Sequence, residues 1–192
     1  MAELQFCDKH NMIAILEKID DNTDFHQILN FLNKSYIKYA LTASTVVYTS
    51  VITQFWSTTA LEIDEEGYQV ITATIDKKVK VRVSEASVRR HLKFGEEAGI
   101  SALGDEEIFA ELARMGYVTE SRSLTFKKAN FSPQWRFLIH NLLHCLSPKK
   151  TAWEQFSSNI ATALICLATR RTFNFAKLIF DAIVKNIHMV RN

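Results

Sequence analysis

The stretch W-E-Q-F-S-S-N-I-A-T-A-L-I-C-L-A, residues 153–168, decides the fold. From Asn159 onward it carries Ile160, Ala161, Ala163, Leu164, Ile165, Cys166, Leu167 and Ala168. At helical spacing these cover nearly every direction around the axis. A helix apolar on all sides belongs in the middle of a domain or in a membrane. The run is far short of a bilayer span, and Thr162, Thr169, Arg170 and Arg171 interrupt or end it. It reads as a central core helix.

The neighbouring segments supply faces to cover it. Pro133 suits the first turn of a helix whose Trp135, Leu138, Ile139, Leu142, Leu143 and Leu146 form one stripe up to the Ser147-Pro148 break. Asn174 is placed to cap a last helix with Phe175, Leu178, Ile179, Ala182, Ile183 and Ile187 inward and Lys177, Asp181 and Lys185 outside. Upstream, Asp105 is placed to cap a helix with Ile108, Phe109, Leu112 and Met115, and Gly116 suits its C′ position. Residues 95–104 read as a loop, and 119–132 as an irregular stretch anchored by Leu124 and Phe126.

The N-terminal part has the same helical spacing. Met12, Ile15, Leu16 and Ile19 predict an amphipathic helix capped by Asp8. Phe25, Ile28, Leu29 and Leu32 predict a second, capped by Asp24. Tyr48, Val51, Ile52 and Phe55 predict a third, starting at Ser44 or Thr45, with Trp56 beside its face. Weak alternation over 36–42 suggests a short strand. The runs Gln69–Ile75 and Val79–Val83 are β-branched and flank Asp76-Lys77-Lys78, a β-hairpin signature. Ile71, Ala73, Ile75, Val79, Val81 and Val83 would face inward, and Lys78, Lys80 and Arg82 outward. Ser84 would cap a helix over 85–92. The expected fold is α+β, predominantly α: a multi-helix globule with one small antiparallel hairpin sheet. Residues 1–192 are expected to form a single domain, with a helical part 8–58, a hairpin 68–83 and a helical part 84–188.

Composition fits this. The chain has 192 residues, 47% hydrophobic and 23% charged, enough for a real core and unlike a disordered chain. A net charge of +2 is far below that of a dedicated nucleic-acid binder. Cys7, Cys145 and Cys166 are odd in number and widely spaced, so a reducing compartment is expected and no disulfide framework. Residues 1–12 show neither the basic nor the apolar region of a signal peptide. An intracellular location, cytoplasm or nucleus, is expected, with no membrane contact.

Motifs for catalysis are missing from the sequence: there is no G-x-S-x-G, no P-loop and no G-x-G-x-x-G. His140 and His144 stand four apart and offer two imidazoles to a metal, with Cys7 and His10 as distant completing ligands. The Glu of the zinc-protease pattern is missing between them, so they read as polar-side histidines. Cys145 beside His144 is not a nucleophile–base pair, because adjacent helical residues point about 100° apart. Lys78, Lys80, Arg82, Arg89, Arg90 and Lys93 adjoin in sequence and form the candidate nucleic-acid-binding patch, with Tyr68 or Phe94 to stack on bases. The competing reading is a solvated mixed surface. No cofactor and no catalytic residue is expected.

Several phrases resemble one family. F-S-P-Q-W-R-F-L-I-H (131–140), L-H-C-L-S-P-K-K-T-A-W (143–153) and F-N-F-A-K-L-I-F-D-A-I (173–183) are joined by F-H-Q-I-L-N-F-L (25–32), I-T-Q-F-W (52–56) and D-E-E-I-F-A-E-L-A-R-M-G-Y (105–117). In this order they resemble the plant transposon protein domain, found near the start of retrotransposon-derived polyproteins in flowering plants. The resemblance spans nearly the whole chain. It implies a gag-side or accessory module upstream of protease, integrase and reverse-transcriptase regions, and it carries no catalytic residues over. Some relatives bear a synaptobrevin or longin-like label, but no heptad SNARE segment or membrane tail stands here. Relatives run on beyond Ile187, which implies a fragment of a longer polyprotein.

The expected function is a non-enzymatic structural or assembly module, self-associating or binding polyprotein partners, with weak RNA or DNA binding. The alternatives are a host protein–protein adaptor derived from the element, and a metal-dependent hydrolase or nuclease built on His140 and His144.

Overall fold

A computed structural model describes residues 13–43, 47–119, 121–146 and 154–190, apart from the side chain of Val190. Its centre is helix α7, Ser158–Ala168, where all eight side chains from Ile160 to Leu167 are buried. Helices α5, Asp105–Arg114, and α6, Pro133–Leu146, pack against it. Ile108 and Leu112 of the first, and Leu138, Ile139, Leu142 and Leu146 of the second, join its core. Burying one such side chain contributes about 1.5–3 kcal/mol, so this cluster dominates the stability. Thr162 is the polar exception; its hydroxyl accepts the Leu103 N–H at 3.4 Å.

Three helix ends close alike. After α7, Arg171 N–H bonds the Cys166 carbonyl at 2.8 Å around Arg170, at φ 58. After α5, Tyr117 N–H bonds Leu112 at 2.9 Å around Gly116, at φ 87, the expected C′ glycine. Helix α4, Glu85–His91, ends with Phe94 N–H on Arg89 at 3.1 Å around Lys93, at φ 56. Each is the 6→1 closure that a left-handed residue permits. Ser84 caps α4 as expected, accepting from Ser87 N–H at 3.2 Å. The N-cap of α5 is Gly104, with Asp105 in the first turn.

The N-terminal part departs from expectation. Residues 13–19 form neither helix nor strand. Ala14 and Leu16 are buried, Ile13, Ile15 and Ile19 exposed, and Ala14 N–H bonds the Leu41 carbonyl at 2.8 Å. Burial alternates over 13–16, as period two requires, and the β-branched isoleucines disfavour a helix there. Asp8 and Met12 lie outside the described residues. A 3-10 turn, Asp20–Phe25, then leads into α1, His26–Lys34, so Asp24 sits inside the turn and caps nothing by its side chain. The strand expected over 36–42 is helix α2, Lys38–Thr42: Ile37 and Leu41, one turn apart, are both fully buried. Helix α3, Thr49–Thr58, carries the expected Ile52, Phe55 and Trp56 partly buried, while Val51 is exposed. Ser44 and Thr45 lie outside the described residues.

The hairpin forms with the expected bounds: β2, Gln69–Ile75, pairs antiparallel with β3, Val79–Val83, Ile71 opposite Val83 and Ile75 opposite Val79. A strand not foreseen, β1, Ala60–Ile63, pairs with β2 on its other side. Four residues, A-L-E-I, are too few to show a period. Just before β1 begins, α3 continues the ladder: Thr74 N–H donates to Thr58 Oγ1 at 2.8 Å and Asp76 N–H to Gln54 Oε1 at 2.6 Å. Ile71 packs with Phe180, Ile183, Val184 and Ile187 of α8, Phe175–Val190, and with Phe55 and Trp56. That cover stops short of the hairpin tip, so Val79 is 56% exposed and not inward as expected.

A second sheet was also not foreseen: β4, Thr125–Lys127, with β5, Gln155–Ser157, three residues each. Phe126 is fully buried in an aromatic cluster with Phe109, Tyr117, Phe131 and Phe156, whereas Leu124, its expected partner as anchor, is 39% exposed. The result is α+β, mostly α, with two small antiparallel sheets where one was expected. Among the described residues no helix is long and apolar enough to cross a membrane.

The loop 95–104 crosses the approach to α8. Ile100 N–H bonds Thr172 O and Asn174 N–H bonds Ile100 O, both at 2.8 Å. Gly99, at φ +76, makes this approach, since a Cβ there would stand 2.6 Å from the Thr172 carbonyl oxygen. Gly99→Ala is expected to cost about 2 kcal/mol through strain and displaced backbone, read as a lower midpoint in urea denaturation.

Candidate nucleic-acid interface

Of the six cationic residues singled out in the sequence, Arg82, Arg89 and Lys93 have partners within the protein. Lys78 and Lys80 are exposed at the hairpin turn and on β3. Arg82, opposite Thr72, reaches across the sheet to Asp64 at 3.7 Å, while Thr72 Oγ1 donates to Glu62 Oε1 at 2.9 Å. The shallow groove beside it is lined by Glu62, Ile63, Asp64, Glu65, Glu66 and Arg82, an acidic setting that repels phosphate.

Arg89 is no surface ligand. Its guanidinium donates to Glu85 Oε1 at 2.6 Å, to Asn174 Oδ1 at 2.9 Å and to the Glu97 carbonyl at 2.7 Å, and its side chain is 13% exposed. Asn174 Nδ2 donates to the same Glu85 oxygen at 2.9 Å, and Asn174 Oδ1 accepts Lys177 N–H at 3.0 Å as the cap of α8, as the sequence predicts. The triangle Glu85–Arg89–Asn174 thus fastens α4 to the start of α8. The i,i+4 spacing of Glu85 and Arg89 was its one sign in the sequence. Arg90 is exposed, and the Lys93 ammonium lies 4.1 Å over the Tyr39 ring. Phe94, proposed for base stacking, is 3% exposed and stacks on Phe175 instead; Tyr68 is 67% exposed. Of the six, Lys78, Lys80 and Arg90 are exposed and enter no ion pair among the described residues.

His140 and His144 come together on α6 with ring centroids 4.2 Å apart. Burial, then the neighbouring His144 and Lys128, hold the proton affinity of His140 below the usual imidazole range; burial, then Lys128, does the same to His144. Burial pushes the Cys145 thiol up to about 11, so it holds its proton at neutral pH and is no thiolate for His144 to activate. Cys7 and His10 lie outside the described residues. Among the described residues no group of three or more His, Cys, Asp or Glu is placed to hold a metal.

No family model, no curated protein and no solved structure matches the chain.

Two outcomes follow from this geometry. Arg89→Gln removes charge-assisted bonds that hold two helices together, and is expected to lower unfolding free energy by roughly 2 kcal/mol in urea melts while leaving surface charge-dependent binding in place. For the histidines, folded-state proton affinity is lowered, so the unfolded chain takes up protons first. The stability is therefore complete above the ordinary imidazole range and declines as pH falls below about 6.5 through the depressed values. Urea midpoints at about pH 7.5 and about pH 5.5 should differ less in His140→Gln/His144→Gln than in the wild type.

Proposed function

We propose that this chain is a non-enzymatic assembly module of the gag side of a retrotransposon-derived polyprotein, one that self-associates and binds nucleic acid weakly. The resemblance of its phrases to the plant transposon protein domain supports the setting. The observation that carries self-association is the three-stranded sheet, ordered β1-β2-β3, whose two outer strands pair with no further strand among the described residues. Its margins expose Ile63, Tyr68 and Val79 at 63%, 67% and 56%. Open edges with apolar side chains are templates for pairing with another chain. Their charges differ in sign. Glu62, Asp64, Glu65 and Glu66 follow the β1 margin, and Lys78 and Lys80 the β3 margin. Contact of β3 with β3 repels, and contact of β3 with β1 attracts. A head-to-tail contact of that kind propagates into rings or filaments, which is the behaviour an assembly module needs.

Sedimentation velocity over a concentration series tests this. The wild-type chain is expected to shift to larger species as concentration rises, and Ile63→Lys/Val79→Lys to remain monomeric with an unchanged circular dichroism spectrum. A wild-type chain that stays monomeric throughout removes the reading.

A further inference from the structure

The near-neutral total hides a separation of charge along the chain. Residues 121–153 contain no Asp or Glu, while they hold Arg122, Lys127, Lys128, Arg136, Lys149, Lys150, His140 and His144. All 21 acidic residues lie outside this stretch, against 17 of the 23 Lys and Arg, so the rest of the protein is net negative. Arg122 is held by Glu106 at 2.7 Å, and Lys149 and Lys150 lie outside the described residues.

Structure gathers part of the remainder on one side of α6. Arg136, His140 and His144 follow one another at steps of four residues, which places them in a row about 12 Å long on one helix face. Arg136 is exposed and the two imidazoles are half-buried. Lys128, in the 3-10 turn Lys128–Asn130 that packs on α6, is close enough to act on both rings by its charge. Elsewhere Arg82, Arg89, Arg114, Arg122, Arg171 and Lys177 are each paired with a carboxylate. Among the described residues no such pair involves Lys128 or Arg136. Of the elements around α6, the 3-10 turn Asp20–Phe25, which meets it through Phe25 on Phe137, brings Asp20, Asp21 and Asp24. Helix α2 carries Lys38 and α7 carries no charged residue. Glu154 and Asp24 approach through their backbone carbonyls, which accept from Lys128 N–H at 2.7 Å and Gln134 Nε2 at 3.1 Å.

We infer that the α6 face bearing Arg136, His140 and His144, with Lys128 beside it, is the surface on which this protein holds the phosphate backbone of a single-stranded nucleic acid. The inference rests on the nucleic-acid half of the function proposed above and moves the contact away from the hairpin. Lys128 and Arg136 neutralise phosphates at neutral pH. When protonated, both rings add to the positive charge of the row.

Fluorescence anisotropy of the full chain with a labelled oligouridine, over a salt series, tests the placement. Lys128→Glu/Arg136→Glu is expected to weaken binding about tenfold and to flatten the slope of log affinity against log salt by about 1.4, the share of two phosphate contacts on a single strand. Lys78→Glu/Lys80→Glu should stay within about twofold of wild type. Where the charge reversal disturbs folding, Lys128→Gln/Arg136→Gln gives the same reading at smaller amplitude. Loss of binding in the hairpin variant with the α6 variant intact overturns the placement and leaves the nucleic-acid reading standing. Absence of salt-dependent binding by wild type removes both. Capture of phosphatidylserine vesicles by wild type without oligouridine binding likewise overturns it.

Discussion

Complete burial of α7 is the constraint on which the rest depends. A helix with eight consecutive buried residues has no side to give to solvent, so every direction around it must be covered by another element. Helices α5 and α6 supply two of those covers, and β5 with β4 closes the N-terminal end through Phe156 and Phe126. The cost of failing to cover it would be large, since each exposed Leu or Ile forfeits about 1.5–3 kcal/mol. Phenylalanines serve the same need, as at Phe126 and Phe173, both fully or nearly fully buried.

Polar groups hold the second layer in place. The extended loop at Gly99 and the Glu85–Arg89–Asn174 triangle both meet the start of α8, one through backbone bonds to Thr172 and Asn174, the other through a buried guanidinium. With its first turn fixed twice, α8 presents Phe180, Ile183 and Ile187 to the inner face of the sheet. The sheet in turn borrows Thr58 and Gln54 from α3 just before β1 begins, extending the cover of its central strand, while the outer strands pair with no further strand among the described residues. Structural use of Arg89 and Arg82 takes them from the cationic surface that their place in the sequence suggested. Among the described residues Lys128 and Arg136 enter no ion pair, whereas Arg122 of the same acid-free stretch is held by Glu106.

What the sequence determined by itself was whatever repeats over enough residues to show a period, or uses a residue whose backbone geometry is unusual. The apolar run of α7, the stripe on α6, the two long strands of the hairpin, the Ser84 and Asn174 caps and the Gly116 ending were all legible, because local sterics and helix or strand periodicity act on neighbouring residues. Tertiary structure alone decided the conformation of 13–19 and 36–42, where Ile15 with Ile19 suits a helix and Ala14 with Leu16 suits a strand, and only the Leu41 carbonyl and the available core volume break the tie. It also decided β1, β4 and β5, three or four residues long, whose pairing partners are supplied from elsewhere in the chain. The fate of each cation was settled the same way: charge is readable in a sequence, but whether a guanidinium meets water or a side-chain amide 85 residues away, as Arg89 meets the cap residue Asn174, depends on which helix ends the fold brings together.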